Sequence, residues 1–277
     1  MTATEPQHSQ SKPNSSSGDG LFEIRTVPFD QPWIWLSAGW RDLWNKPAVS
    51  LAYGASTWLA TLLLVAGLWM LGLEALVPAL AGGLMLVGPL LAVGLYEKSR
   101  LLAAGESVTL VATIRAALGS AGRIGPFAAV LLIVYLIWLR IAFLLFMLFF
   151  GTRALPSVHA FVPELLFTAH GLALLVIGTA VGAALAVVVF VLSAISVPLL
   201  MERQADVITA MMTSARAVAA NPKPMALWAV LIAGFVALGI ATLGAGLVLA
   251  FPLIGHATWH AYRDVVDVAS GAGVSAR

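Results

Sequence analysis

Long segments without Asp, Glu, Lys or Arg dominate this chain of 277 residues. A helix needs roughly 20 apolar residues to cross a hydrocarbon core about 30 Å thick. In lipid the backbone polar groups must bond within the segment itself, which favours helices. The segments therefore predict a polytopic all-α membrane protein. They cover 47–73, 75–96, 165–201 and 224–262, and 124–152 is interrupted only by Arg140.

The composition excludes several other classes of protein. Hydrophobic residues make up 60% of the chain and charged residues 10%, whereas an ordinary globular domain has about 25% charged residues. So few charges cannot cover the surface of a soluble monomer. The chain has no cysteine, which excludes a disulfide scaffold and cysteine chemistry. The net charge of +2 gives no indication of nucleic-acid binding.

The last apolar segment, 224–262, is too long for one span. At 1.5 Å per residue a single helix of this length would be roughly twice as long as the bilayer is thick. We divide it at the glycine-rich stretch 239–246, which suits a tight turn. Six spans result, inside a transmembrane domain over 28–268 that follows a flexible polar tail (1–27) and precedes a short tail (269–277). The spans are about 48–73, 75–96, 125–151, 171–201, 224–241 and 244–262.

The basic residues support six spans and predict an orientation. With six spans, 13 of the 15 Lys and Arg residues lie on one side of the membrane, whereas five spans distribute them 11 to 3. Cytoplasmic loops are enriched in Lys and Arg. We therefore expect both termini to face the cytoplasm.

Each of the three helical hairpins made by these spans follows an amphipathic segment. A basic residue accompanies each apolar stripe, as expected for helices that lie in the membrane interface. The predicted fold is thus six transmembrane helices as three hairpins, with interfacial amphipathic helices between them. The stripes are Trp33, Leu36, Trp40, Leu43 and Trp44 beside Arg41; Leu110, Val111, Ile114 and Leu118 beside Arg115; and Ile208, Met211, Met212 and Val218 beside Arg216.

Four motifs are distinctive when taken together: WIWLSAGWRDLWNKPAVSLAYG (33–54), GPLLAVGLYEKSR (88–100), PLLMERQADVITAMMTSARAVAAN (198–221) and PLIGHATWHAYRD (252–264). They resemble an uncharacterised family of bacterial integral membrane proteins, classed as a domain of unknown function. The resemblance covers roughly 25–265. It implies a bacterial inner-membrane protein and brings no known activity, cofactor or ligand.

Some members of that family are loosely labelled cytochrome c oxidase subunit I-like. Such a subunit is expected to have twelve helices and six histidine ligands, whereas this chain has five histidines and about six predicted helices. Axial haem ligation needs imidazoles that converge on one macrocycle. We reject the oxidase label and predict no cofactor.

Arg140 is the one charged residue near the middle of a predicted span. Such an arginine costs roughly 2.5–3.5 kcal/mol on insertion scales, and an ionisable residue at this depth suggests a functional site. The functional interpretation is an anion-binding or gating contact that faces the interior of the bundle. The alternatives are hydrogen bonds to carbonyls near Ser193–Ser196, or snorkelling towards the outer surface.

His256 and His260 are four residues apart, which places both imidazoles on one face of a helix. They are weak candidates for a metal site, because a metal needs a third ligand. Tyr96, Glu97 and Glu202 are the available partners. The alternative is an interfacial aromatic belt that also includes Trp259 and Tyr262.

Charged residues also mark three predicted helix ends on the cytoplasmic side. They are either a shared charged ring, such as a pore mouth or docking face, or local helix caps and ion pairs. These residues are Glu97, Arg100, Glu202, Arg203, Arg263 and Asp264.

Two classes of function fit these features. The chain contains no nucleotide-binding, serine-hydrolase or zinc-protease motif, so we expect that it is not an enzyme. The first class is a non-enzymatic membrane component that scaffolds or regulates a partner complex, through a membrane protein partner or as a homo-oligomer. The second is a channel or transporter for a small solute, anions included, with Arg140 on the path. Gly178 and Gly182 form a GxxxG motif that favours close helix packing or dimerisation.

Overall fold

The computed structural model describes residues 22–73, 76, 77, 80, 88–151 and 158–266. Residues 1–21 and 267–277, and much of the predicted span 75–96, lie outside the described residues. The all-helical class is confirmed. Within the described residues the chain forms eleven helices: α1 (Gln31–Trp44), α2 (Pro47–Met70), α3 (Val93–Ala103), α4 (Leu110–Gly119), α5 (Ala121–Phe150), α6 (Val158–Phe167), α7 (Ala169–Ser193), α8 (Ser196–Glu202), α9 (Val207–Ala220), α10 (Pro222–Ala241) and α11 (Leu247–Val265).

Four helical segments of the described part are long and apolar enough to cross a membrane. They are α2, α5, α7 together with α8 (Ala169–Glu202), and α10. At most 22% of the residues in each apolar window are buried inside the structure, so most of these side chains are available to lipid. The finer arrangement of six spans in three hairpins is not confirmed.

The predicted sixth span, 244–262, falls on α11, which is the central helix of the protein core. The chain turns at Thr242–Gly246, inside the glycine-rich stretch, and α11 then packs against α1, α2, α3 and α10. His256, Trp259 and Tyr262 are buried there. The buried side chains of α11 meet protein rather than lipid, which distinguishes this helix from the four candidate spans.

Helix α1 has two apolar faces, and this corrects the predicted single stripe. Leu36 and Leu43 are buried in the core, whereas Trp33, Trp40 and Trp44 are about half exposed. The reason is the tight contact with α11, in which Gly39 lies directly over the backbone of Ala257. On α4 the whole predicted stripe, Leu110, Val111, Ile114 and Leu118, is exposed, and on α9 Ile208 and Met212 are.

An extended N-terminal segment ties the helix ends together. The amide of Arg25 donates to the Val265 carbonyl at 2.8 Å. The buried Asn221 side chain accepts from the Val27 amide at 2.8 Å and donates to the Arg25 carbonyl at 3.0 Å. One side chain therefore recognises both the donor and the acceptor of an extended backbone.

The close approach of α2 and α11 depends on Gly54. A Cβ at this position would overlap the carbonyl oxygen of Val248. Proline at position 252 removes the amide that would normally bond this carbonyl within the helix, and the oxygen faces the glycine instead. Gly67, on the same helix, has open space where its Cβ would lie.

We predict that Gly54→Ala destabilises the protein and that Gly67→Ala does not. The Gly54 change must push two backbones apart, and overpacking of this kind costs about 1–3 kcal/mol. Thermal unfolding in mild detergent measures the effect. Equal melting temperatures for the two variants would contradict the predicted α2–α11 contact.

Candidate functional site

A polar network is buried where α1, α2, α3 and α11 meet. We define the polar network as Asp42, Ser50, Lys98, Ser99, His256 and His260. Ser50, Lys98 and His256 have no exposed surface, and Asp42 and His260 form its partly exposed end. Burying polar groups is costly unless each finds a hydrogen-bond partner. The partners in this network therefore decide its chemistry.

Four helices each contribute a short part of the network. Asp42 lies near the end of α1, and Ser50 lies in the first turn of α2. Lys98 and Ser99 are neighbours on α3. Helices α3 and α11 can approach closely because Gly255 faces Leu95, where a larger side chain would collide.

The ammonium group of Lys98 is held by three oxygens. Its Nζ donates to Ser50 Oγ at 2.6 Å, to the Asp42 carbonyl at 2.9 Å and to the Lys46 carbonyl at 3.3 Å. Three acceptors match the three N–H bonds of an ammonium group. Burial lowers the pKa of Lys98 to about 8 against the opposing attraction of Asp42, and the nearby Lys46 charge adds to the lowering. At neutral pH the group is still mainly protonated.

His256 is bonded through both ring nitrogens. Its Nε2 lies 2.9 Å from Ser50 Oγ, and its Nδ1 lies 2.8 Å from Ser99 Oγ. Ser99 in turn donates to the Asp42 carboxylate at 2.7 Å, and His260 Nε2 is 2.9 Å from the same oxygen. Burial alone would raise the pKa of Asp42, but the hydrogen bonds from His260 and Ser99 lower it below its ordinary value.

These contacts determine the direction of every hydrogen bond. An ionised carboxylate only accepts, so Ser99 gives its proton to Asp42 and its oxygen must accept from His256 Nδ1–H. Nε2 of His256 is then the acceptor and takes the hydroxyl proton of Ser50, whose oxygen accepts from Lys98. The assigned tautomer follows from the network. The result is a chain that runs from a buried ammonium group, through two serines and a histidine, to a carboxylate at the surface.

The chain of hydrogen bonds joins four helices and can also pass protons. Bonds aligned head to tail polarise one another in a low-dielectric interior. Shifting each proton one step towards Asp42 would neutralise both charged ends. Ser50 is completely buried beside Lys98. A substrate therefore cannot reach its hydroxyl, as it would have to if Ser50 were a serine nucleophile.

The structure places the two predicted metal-ligand histidines side by side in this network. Both nitrogens of His256 are bonded to serines, and His260 faces Asp42. In the described part of the chain no group of three His, Cys, Asp or Glu side chains is arranged to hold a metal. The metal site stays a prediction. His256, Trp259 and Tyr262 are buried in the core, which is not the placement of an aromatic belt.

The predicted charged helix ends form local pairs, and one ion pair joins two of the ends, between Glu202 and Arg263. Arg100 binds Glu97 through two hydrogen bonds, at 2.9 and 2.7 Å. Glu202 accepts from Tyr262 and from Arg263, each at 2.6 Å. Asp264 accepts from Gln31 at 2.7 Å and from Trp35 at 2.8 Å. Arg203 follows α8 and also has interaction partners. A surface cavity of about 380 Å³ is lined by Glu97, Arg100, Ser120, Arg123 and Glu202, among others.

Arg140 lies apart from both clusters. It is exposed on α5, and it makes no hydrogen bond or ion pair with any described residue. The structure does not place Arg140 among the packed residues of the bundle, and the anion-binding or gating role stays a prediction. The alternative of hydrogen bonds to carbonyls near Ser193–Ser196 is not formed in the structure either, because Arg140 has no hydrogen bond to a described residue. Snorkelling towards the outer surface stays open as an alternative.

Sequence reasoning identified the two histidines but missed their partners. Asp42, Ser50 and Ser99 are ordinary residues in their local sequence, and Lys98 lies between the charged residues Glu97 and Arg100 with no distinguishing feature of its own. The contact between Ser50 and His256 joins positions 206 residues apart. The only local signal was the spacing of the histidines.

We predict that Ser50→Ala destabilises the protein by about 1–3 kcal/mol, because His256 Nε2 and one N–H of Lys98 would lose their partner in a buried site. Ser56→Ala on the same helix is the matched control, since the Ser56 hydroxyl is exposed and bonds only to the Tyr53 carbonyl. Chemical unfolding in detergent compares the two. A Ser50 variant as stable as the Ser56 variant would contradict the network.

We also predict that the stability conferred by Lys98 depends on pH. Its pKa is about 8 in the folded protein and returns to 10.5 on unfolding, so between these values the unfolded chain binds more protons. Stability therefore rises with pH in this window. The free energy of unfolding of the wild type should increase relative to that of Lys98→Met between pH 8 and 10. A pH-independent difference in chemical unfolding experiments would show that the pKa is not lowered.

The comparisons with known proteins agree with the membrane assignment and with the motifs. No curated protein and no solved structure matched the chain. Residues 76–202, which include α3–α8, match a family model described as "Predicted integral membrane protein (DUF2189)". The resemblance to an uncharacterised family of integral membrane proteins is thus confirmed over this region.

Proposed function

We propose that this integral membrane protein is a non-enzymatic component of the bacterial inner membrane that scaffolds or regulates a partner complex, with both termini in the cytoplasm. The observation that carries the proposal is the saturated polar network. Its hydrogen bonds lock α1, α2, α3 and α11 together at the end of the molecule that the charge distribution predicts to be cytoplasmic.

A rigid assembly of α1, α2, α3 and α11 suits a surface on which a partner protein docks. Every polar group in the chain from Lys98 to Asp42 is used in a contact between helices, and the charged helix ends add a second set of contacts through Glu202 and Asp264. A network in which each member is satisfied makes a structure rigid and specific. The exposed charges of Arg41, Arg115 and Arg216 lie on the surrounding amphipathic helices, where anionic headgroups or a partner can meet them.

The position of Arg140 supports this class over transport. The transport alternative places Arg140 on a path between the hairpins, facing the interior. In the structure it is exposed on α5. A charged side chain on the exposed face of a helix suits recognition of a neighbouring protein better than passage of a solute between the helices.

The test is native mass spectrometry of the tagged full-length chain, extracted from its own host's membranes in mild detergent. We expect a complex of defined stoichiometry with a second membrane protein. Gly54→Ala, which disturbs the contact between α2 and α11, should lower the amount of complex recovered, and Gly67→Ala should not.

Two results would overturn the proposal. One is a chain that leaves the native membrane alone, both after mild extraction and after chemical crosslinking in place. The other is solute flux through purified protein in proteoliposomes that is lost in Arg140→Gln.

A further inference from the structure

We infer that the outer face of α5 around Arg140 binds a transmembrane helix of a different protein, and that this helix carries an Asp or Glu at the same depth. This inference rests on the proposed scaffolding function and names the contact and the chemistry of the partner.

The rotation of α5 is determined by its packing. The helix buries Ile124, Phe127 and Leu131 along one face, and the ring of Trp138 lies against Gly182 of α7, where a Cβ would be only 3.1 Å from the indole. Arg140 follows Leu131 by nine residues, which at 100° per residue is half a turn around the helix. Arg140 therefore points directly away from the packed face.

The surroundings of Arg140 form a continuous apolar surface. The large side chains up to two turns before it and one turn after it are each about half exposed. In a membrane span such a surface faces either lipid or another transmembrane helix, so the arginine at its centre decides which of the two suits it. These side chains are Ile133, Leu136, Ile137, Phe143 and Leu144.

The depth of Arg140 makes lipid alone a poor environment. Helix α5 ends at Phe150, so Arg140 lies roughly 15 Å from that end along the axis. An arginine near the middle of a span costs about 2.5–3.5 kcal/mol, and such residues usually pair. A carboxylate pairs best with a guanidinium, because two parallel N–H···O bonds form.

The sequence excludes a second copy of this chain as the source of that carboxylate. All 13 Asp and Glu residues lie outside the apolar segments 47–73, 75–96, 124–152, 165–201 and 224–262. A homodimer through α5 would therefore bring two arginines together without an acid at their depth. Charge complementarity requires a different protein.

The experiment places a photo-crosslinking benzoylphenylalanine at Leu136, one turn from Arg140, in the full-length chain in native membranes. We expect one adduct, with a membrane protein whose crosslinked peptide contains a transmembrane Asp or Glu. Arg140→Gln should lower the adduct yield at least tenfold, and Arg140→Lys should keep part of it. The same crosslinker at Val176 of α7, also exposed, is the control and should give no product that depends on Arg140.

Exchanging the charges of Arg140 and its partner's acid adds a further test, because a misfolded variant could not regain the adduct in this way. Arg140→Glu should abolish the adduct, and replacing the partner's acid by Arg should restore it. Because Arg140 has no partner among the described residues, Arg140→Gln should leave the melting temperature unchanged.

Three outcomes would overturn the inference: an adduct with a second copy of the chain, an adduct with lipid alone, or an adduct whose yield does not depend on Arg140. Native mass spectrometry separates these from failure of the proposed function. If the complex survives Arg140→Gln, the scaffolding function stands and the proposed binding surface on α5 is wrong. If no complex forms at all, the scaffolding function itself is wrong.

Discussion

The buried ammonium group of Lys98 is the interaction on which the packed end of this protein depends. It is enclosed by oxygens from α1, from the link before α2 and from α2 itself, so it cannot be satisfied unless these elements are assembled. Through Ser50 and His256 the same requirement extends to α11 and back to α1 at Asp42. Removing one partner leaves a buried charge or a buried ring nitrogen unpaired, which costs more than the net gain from making the bond. The arrangement of four helices is therefore specified by polar groups as well as by apolar packing.

This packed end explains why the protein has two regions of different character. Side chains of α11 such as Trp259 and Tyr262 are buried by protein, whereas at most 22% of the residues in each candidate span's apolar window are buried. Lipid tails are as apolar as the side chains of the spans, so the hydrophobic effect does little to drive the spans to associate with one another. The core at the helix ends supplies the fixed positions from which the spans extend. Partners in the membrane can then contact the spans without disturbing that core.

The sequence predicted the fold class well and the site only in part. Apolar segments of spanning length identify α2, α5, α7 together with α8, and α10, because lipid permits few alternatives to an apolar helix. The same pattern predicts a span over 244–262, which the structure does not confirm, since a helix buried in protein and one buried in lipid are both apolar. The spacing of His256 and His260 predicted a shared helix face, and both side chains do reach the same network. Asp42, Ser50 and Ser99 could not be predicted, because their contacts join distant segments and leave no local pattern.

For Arg140, too, the sequence predicts one property of the residue and only the packing of the helices determines another. Its depth follows from the sequence, because a charge in a long apolar segment is conspicuous. Its direction does not, because α5 is apolar on all sides and no stripe marks an inner face. Trp138 against Gly182 and the buried row that ends at Leu131 set the rotation of α5, and that rotation turns Arg140 outward. Arg140 is thus exposed on α5 with no described partner, and the absence of acids from the apolar segments of this sequence is the reason that the proposed pairing involves a different protein.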